Sequence, residues 1–187
     1  MNPLQTLTAA QIAGCATDAQ KETVILWFQL VSQGFSGSIV ERIKPIRYDV
    51  VLADGTTSTG LSVADASVRG KGATLVCDLT IEDDMLNGYK SLHGGAAAFL
   101  ADVCTSFALS SLSGSNGNVS VNLNLDYHQP VPVGTTIEII STTQAVGKRL
   151  LSTRCEFRHK EKRTLLISGS HTKMSPSKAV YDTTSKL

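Results

Sequence analysis

An acidic residue inside an apolar stretch is the first feature of this sequence that could do chemistry. Asp102 lies within the run from Gly95 to Leu112, and no Lys or Arg stands three or four residues to either side of it. Burying an unpaired carboxylate is costly and raises its pKa, which suits a general base or a nucleophile. The alternative is a carboxylate that is hydrogen-bonded to Ser106 or to distant backbone, or one exposed in a groove.

The residues His93-Gly94-Gly95 stand where the same helix is predicted to begin. Glycine lets a ligand approach the backbone closely, and the first N–H groups of a helix have no acceptor within it. Together with the positive end of the helix dipole, they suit a carbonyl oxygen that becomes an oxyanion. The alternative is an ordinary glycine-rich helix start.

The spacing of these two features predicts a dimer. Gly94 and Asp102 are eight residues apart, which is about 12 Å along a helix at roughly 1.5 Å per residue. One substrate carbonyl therefore cannot touch both groups of the same chain. Two such helices related by a two-fold axis would bring each helix start near the carboxylate of the other chain. We expect an obligate dimer with composite sites.

Sequence periodicity indicates one helix and then strands in the first half of the chain. Apolar residues recur at helical spacing over residues 18–33. Residues 48–52 predict a strand. Two further runs, 61–68 and 73–81, flank Gly70-Lys71-Gly72 and are consistent with a hairpin.

The second half predicts one long apolar helix followed by strands. The helix spans roughly 95–112, and the four strand-like runs are 118–128, 135–146, 149–159 and 164–173. Their short connections favour antiparallel hairpins. A helix that is apolar on nearly all sides must be covered on most of them. The expected fold class is therefore α+β, with an antiparallel sheet that wraps around one central helix.

Composition narrows the class of protein. The chain has 187 residues and a net charge of +1, with 42% hydrophobic and 18% charged residues, which predicts about one globular domain. The small net charge argues against a nucleic-acid scaffold, and no apolar run reaches the roughly 18 residues of a membrane span. The cysteines lack paired spacing and are expected to be reduced, mostly buried thiols; they are Cys15, Cys77, Cys104 and Cys155. The four histidines show no metal-ligand spacing.

The two ends of the chain bear on location. The first twenty residues contain no Lys or Arg, unlike a secretory or mitochondrial leader. The sequence ends in Ser185-Lys186-Leu187 after a polar stretch, so residues 175–187 are expected to form a flexible tail with a peroxisomal address that an import receptor reads. In a bacterium the tripeptide would carry no address, and the protein would be cytoplasmic.

An ordered set of motifs resembles a known family. Five residues separate Asn87 from His93-Gly94-Gly95, Asp102 follows in the helix, and Val119-Ser120-Val121-Asn122 opens a strand. This order is similar to that of the hotdog-fold acyl-CoA thioesterases, in particular the phenylacetate-degradation and thioesterase superfamily member 2 group. The resemblance implies a single hotdog domain over 1–174, with a helical extension at 1–45 and a core at 61–174.

The family's roles are expected at the matching positions. Asn87 and the Gly94 N–H would bind and polarise a thioester carbonyl, and His93 would shape their loop. Asp102 of the opposite subunit would act as general base or nucleophile. Ser120, on the side of Asp102, would help to position the water. Strict strand alternation instead places Ser120 on the polar face, where it would be an ordinary solvated serine.

The resemblance also implies cations for the phosphates of coenzyme A. The preferred candidates are Lys90, Lys148, Arg149 and Lys173. For the basic run 148–163, a solvated hairpin face is an equally good interpretation.

The expected function is a peroxisomal acyl-CoA thioesterase of lipid metabolism, which works without a metal or redox cofactor and assembles as a dimer or a dimer of dimers. Two alternatives remain open. One is another hotdog enzyme, a hydratase or dehydratase, and the other is a non-catalytic acyl-CoA binding module.

Overall fold

The computed structural model describes residues 3–52, 70–110, 112, 118–147 and 149–174. The helices are α1 (Pro3–Thr6), α2 (Asp18–Val31), α3 (Gly37–Val40) and α4 (Gly94–Ala108). The strands are β1 (Lys44–Leu52), β2 (Gly70–Thr80), β3 (Val119–Tyr127), β4 (Thr136–Val146), β5 (Leu150–His159) and β6 (Leu165–Met174). Parts of the sequence interpretation lie outside these residues: the strand predicted at 61–68, Lys148, and the tail 175–187 with its address.

The six strands form one antiparallel sheet in the order β1-β2-β4-β5-β6-β3. Helix α4 contacts every strand from β2 to β6, which confirms the prediction of a sheet around a central helix. The expectation that consecutive strands form hairpins is right for β4-β5-β6 and wrong for β3 and β4. Because β3 follows α4 across the inside of the sheet, it reaches the far edge and pairs with β6.

The predicted turn at Gly70-Lys71-Gly72 is wrong. These residues begin strand β2, in which Gly70 pairs with Leu52 and Gly72 with Val51 of β1. The turn signal fails because pairing with β1 continues the strand through the glycines. The first strand of the sheet begins at Lys44. The predicted start of the core, at residue 61, therefore leaves strand β1 outside the core.

The helical extension completes the core. Helix α2 begins at a capping box in which the Thr17 hydroxyl accepts from the Gln20 N–H at 3.3 Å. Its Phe28 ring packs edge-on against Phe107 of α4, with ring centroids 4.5 Å apart. Trp27 stacks on the same Phe107 ring. The prediction of a helix over 18–33 is confirmed, and the helix covers α4.

The chain before α2 runs along the outer edge of β1. The Ala13 N–H donates to the Ile46 carbonyl at 2.9 Å, and the Ala13 carbonyl accepts from the Tyr48 N–H at 2.9 Å. Gly14 makes this approach possible, because its φ is +99° and a Cβ there would lie 2.3 Å from the Tyr48 carbonyl oxygen. The segment thus satisfies backbone groups that an edge strand would otherwise expose.

The four cysteines are free thiols, three of them buried, as the sequence predicts. Within the described part of the chain, no helix is long and apolar enough to cross a membrane. In the same residues, no group of three or more His, Cys, Asp or Glu side chains could hold a metal ion.

Candidate active site

The start of α4 leaves the N–H groups of Gly94 and Ala96 without an acceptor among the described residues. His93 caps the helix, and its Nδ1 accepts from the Gly95 N–H at 2.9 Å. The Tyr127 hydroxyl donates to the Gly94 carbonyl at 2.9 Å and fixes this turn against β3. The Gly94 N–H has no acceptor among the described residues. His93 thus holds the loop in shape, and Gly94 presents a free N–H group.

Asn87 lies on the loop before the helix, and its own loop holds its side chain. Its Oδ1 accepts from the N–H groups of Tyr89 and Ser91, at 2.9 and 3.3 Å. Its amide nitrogen donates to none of the residues that the structure describes. Asn87, Gly94 and Tyr127 line one cleft of about 490 Å³. Two unpaired N–H donors in one cleft can together bind a carbonyl oxygen.

Asp102 faces a second cleft, of about 400 Å³, between α4 and α2. The walls of this cleft are mostly apolar, and they include Leu30, Phe35 and Phe99. The Asp102 side chain is 46% exposed in the single chain. The expectation of a buried, unpaired carboxylate is therefore wrong, because this face of α4 is open and β6 supplies a cation. The alternative of a carboxylate in a groove is the one that the structure shows.

Four side chains converge on one oxygen of Asp102. Its Oδ1 lies 3.3 Å from the Ser120 hydroxyl, 3.4 Å from the Ser106 hydroxyl and 3.5 Å from Lys173 Nζ. His171 Nε2 is 3.6 Å away. None of the described side chains donates a hydrogen bond to Oδ2. One carboxylate oxygen is therefore anchored, and the other is available to a ligand.

Ser120 reaches Asp102 because of a β-bulge. Ser120 pairs with Lys173 and Asn122 pairs with Thr172, so Val121 is an extra residue in β3. The extra residue shifts the alternation by one position and turns Ser120 towards α4. Ser120 therefore lies on the side of Asp102, as the resemblance implies. The bulge breaks the strict alternation that turned Ser120 away from this side, and Ser120 is exposed in the single chain.

Lys173 belongs to this cluster. Its Nζ donates to the Ser106 hydroxyl at 2.6 Å and to the Ser120 hydroxyl at 3.2 Å, and its side chain is only 5% exposed. Burial lowers the pKa of Lys173, and the Asp102 charge opposes that shift. With its three donors directed at oxygens of the cluster, Lys173 is poorly placed for the predicted contact with coenzyme A phosphates.

The sequence interpretation assigned no role to His171, which is fully buried. Its Nδ1 lies 2.6 Å from the Thr105 hydroxyl and its Nε2 lies 3.0 Å from the Ser120 hydroxyl. Burial first, and then the Lys173 charge, lower the pKa of His171 to about 4 against the opposing pull of Asp102. The ring is therefore neutral at pH 7. Period-two spacing along β6 puts His171 and Lys173 on the face of buried Ile167, and that signal could have found them.

The remaining predicted cations are surface residues. Lys90 is exposed on the loop that carries Asn87, and Arg149 is exposed just before β5. Lys148 lies outside the described residues. Lys90 and Arg149 are thus exposed to solvent, whereas Lys173 is buried.

Within one chain, Gly94 and Asp102 line separate clefts. This placement agrees with the eight-residue spacing along α4, which prevents one small reacting group from touching both. A site that uses both groups must therefore combine clefts from two chains.

Comparisons with known proteins agree with this fold. The family model of the thioesterase superfamily matches residues 89–166. A candidate esterase of Caenorhabditis elegans is 38% identical over 98 residues, which are 52% of this chain and 58% of that protein. Human acyl-coenzyme A thioesterase 13 is 31% identical over 99 residues, which are 53% of this chain and 71% of that protein.

One solved structure shows the same architecture. The crystal structure of mouse thioesterase superfamily member 2 superimposes on this chain with a TM-score of 0.63. The aligned residues are 21% identical and make up 86% of this chain and 100% of the mouse chain. The hotdog fold that the resemblance implies is confirmed. The chain spans little more than half the length of the nematode relative.

Proposed function

This chain belongs to the thioesterase superfamily, and we propose that it hydrolyses acyl-CoA thioesters at sites that two copies of the chain share. Family membership supports thioester hydrolysis as the general activity. The observation that supports the shared site is that two parts of α4 face two different clefts. Its first turn presents free donors in one cleft, and its middle presents a carboxylate oxygen in another.

Strand β3 supports the dimer. It is an edge strand whose outer backbone groups have no partner among the strands that the structure describes, and it exposes Val121 and Tyr127 at 54% and 55%. An antiparallel pair of β3 strands around a two-fold axis would cover these residues. The same axis would place the α4 helices side by side, so that Gly94 of one copy approaches Asp102 of the other.

The proposed reaction begins with the thioester carbonyl held by the Asn87 amide and the Gly94 N–H of one subunit. Asp102 of the other subunit takes a proton from water through its free Oδ2, and the water oxygen bonds to the carbonyl carbon. The two donors stabilise the oxyanion. When the carbon–oxygen double bond re-forms, the carbon–sulfur bond breaks and coenzyme A leaves as a thiolate that takes up a proton. Direct attack by the Asp102 carboxylate on the carbonyl carbon is the other route that this geometry allows.

The apolar walls of the Asp102 cleft suit an acyl group. Leu30 and Phe35 line it, and they are 44% and 80% exposed in the single chain. Outside this cleft, Lys90, Lys148 and Arg149 remain the proposed partners of the coenzyme phosphates. No resident metal or redox cofactor is needed for these steps.

The first test is thiol release from a panel of short, long and aryl acyl-CoAs by the wild type and by Asp102→Asn. We expect the variant to lose at least about 100-fold in kcat, because the general base is removed. Ser110→Ala, just after the end of the same helix, is the control for handling and folding. An Asp102→Asn protein that hydrolyses thioesters at the wild-type rate would refute the mechanism.

The second test addresses the shared site. Asn87→Ala and Asp102→Asn should each be inactive alone, yet mixing them after dissociation should restore activity. Random re-pairing makes half of the dimers mixed, each with one intact site, so the recovery should approach about a quarter of the wild-type rate. Absence of recovery, although mixed dimers form, would show that one chain supplies the whole site.

The two alternatives give different readouts. A hydratase or dehydratase would convert an enoyl-CoA or a hydroxyacyl-CoA without releasing free thiol. A binding module would bind acyl-CoA without turnover of any panel member. The same incubations, followed by thiol detection and by chromatography of the acyl products, separate all three.

Assembly and location complete the proposal. We propose a dimer of dimers and, in a eukaryotic cell, import into peroxisomes through Ser185-Lys186-Leu187. Sedimentation gives the number of chains. A fluorescent protein that carries residues 175–187 at its C-terminus should enter peroxisomes, and removal of Leu187 should abolish import.

A further inference from the structure

The hydrogen bonds behind Ser120 have a fixed direction, and the direction begins at Thr105. The Thr105 hydroxyl donates its one hydrogen to the Ala101 carbonyl at 2.6 Å, within α4. Thr105 is fully buried, so no solvent group competes for that hydrogen. The Ala101 carbonyl can only accept, so with this hydrogen directed to the carbonyl the Thr105 oxygen accepts from His171.

This requirement selects the tautomer of His171. At 2.6 Å from this accepting oxygen, Nδ1 must carry the ring proton. A neutral imidazole has one N–H group, so Nε2 bears a lone pair. Nε2 lies 3.0 Å from the Ser120 hydroxyl, and it must accept the Ser120 hydrogen. The pKa of about 4 for His171 supports a neutral ring at working pH.

Ser120 is left with one lone pair for a further donor. Its single hydrogen is used by His171, and Lys173 donates to one of its lone pairs at 3.2 Å. The Asp102 carboxylate, whose anchored Oδ1 lies 3.3 Å from Ser120, is then a second acceptor beside it through its free Oδ2. Two neighbouring acceptors suit a water molecule that donates one hydrogen to each and keeps a lone pair for the carbonyl carbon.

We propose that Thr105 and His171 are positioning residues that fix Ser120 as an acceptor, so that Ser120 and Asp102 together orient the attacking water. The inference rests on the proposed function and adds two residues to it. Both lie behind Ser120, away from the reacting atoms. Asp102 and Lys173 are the two charged groups that face His171, from α4 and from its own strand β6.

The test is a matched pair of substitutions. Thr105→Val keeps the size of the side chain and removes the oxygen that holds the Nδ1 proton, so the ring can adopt the other tautomer and donate to Ser120. We expect kcat to fall by about tenfold or more with KM unchanged. Thr105→Ser keeps the hydroxyl, and we expect its kcat to stay within about threefold of the wild type.

The tautomer is measured directly in the resting protein. Long-range ¹H–¹⁵N NMR spectra, with the His171 signals assigned through their loss in His171→Gln, should show a neutral ring protonated at Nδ1 at pH 7. Thr105→Val should shift the signals towards the Nε2–H form. An Nε2–H ring or an imidazolium in the wild type would overturn the inference, as would full kcat in a folded Thr105→Val protein.

The readouts separate this inference from the proposed function. If Asp102→Asn is inactive while Thr105→Val keeps full kcat, the proposed function stands and the role of Thr105 and His171 fails. If the wild type releases no thiol from any acyl-CoA, both the proposed function and the role in orienting water fail. The NMR spectrum would then still decide the tautomer.

Discussion

The two edge strands of the sheet differ in whether another segment covers their outer backbone. At the β1 edge, the segment around Ala13 and Gly14 lies against the strand and satisfies part of its outer backbone. At the β3 edge, no described segment covers the strand, and Val121 and Tyr127 are exposed. Uncovered edges promote association. The difference teaches that this chain closes one edge by itself, whereas the other edge, beside Asp102, would be closed by a second copy in the proposed dimer.

The largest expected effect comes from a charge at the open edge. Val121→Lys should shift the protein towards monomers and reduce kcat by at least about 100-fold, because each site loses the groups of its partner. Val51→Lys makes the same change on an exposed valine of β1, and it should leave both the oligomeric mass and the rate of thiol release unchanged. Analytical ultracentrifugation and thiol release measure the two effects. A fully active Val121→Lys monomer would refute the claim that pairing at the β3 edge completes the site.

Acid should lower the free energy of unfolding, because His171 is buried as a neutral ring. The unfolded chain binds a proton at this residue near pH 6.5, while in the folded protein the pKa is about 4. The unfolded state therefore binds more protons between these values, and the free energy of unfolding should fall as pH drops from 7 to 4. The loss is at most about 3 kcal/mol.

Urea unfolding at several pH values measures this slope. His171→Gln should flatten it, whereas His128→Gln, at an exposed histidine, should not. Equal slopes in the wild type and His171→Gln would show that other groups cause the acid sensitivity.

The closed edge depends on Gly14. Gly14→Ala should lower the free energy of unfolding by about 2 kcal/mol or more, because an added Cβ meets the Tyr48 carbonyl as well as a positive φ. Gly134 also has a positive φ, but no atom lies within 4 Å of its Cβ position. Gly134→Ala should therefore lose only about 1 kcal/mol. Equal losses in urea would mean that contact with β1 adds nothing at Gly14.

The smallest effect is expected at the surface cations. Lys90→Ala and Arg149→Ala should each raise KM for an acyl-CoA by about twofold to fivefold, and less at high salt, because exposed charges are screened. The same variants should be unchanged with an acyl thioester of N-acetylcysteamine, which lacks the phosphates. A KM that rises for both substrates would place these residues at the acyl site instead.

Much of the fold could be predicted because its patterns are local. The spacing of apolar residues in α2 and the alternation in β4, β5 and β6 gave bounds within a few residues of those observed. The errors came from partners distant in sequence. Gly70 to Gly72 form strand because β1 pairs with them, and β3 lies beside β6, with β5 and β6 between it and its expected neighbour β4.

The candidate site likewise has one part that local sequence predicts and another part that depends on distant residues. The sequence by itself determined that Asn87 and His93 precede the helix that begins near Gly94. It also determined that Asp102 lies too far along this helix to meet Gly94, because helical rise depends only on residue count. The tertiary structure alone decided the surroundings of Asp102. A bulge at Val121 turns Ser120 inward, and β6 brings His171 and Lys173 against α4. Those contacts join residues up to 71 positions apart, so only the pairing of strands across the sheet could create them.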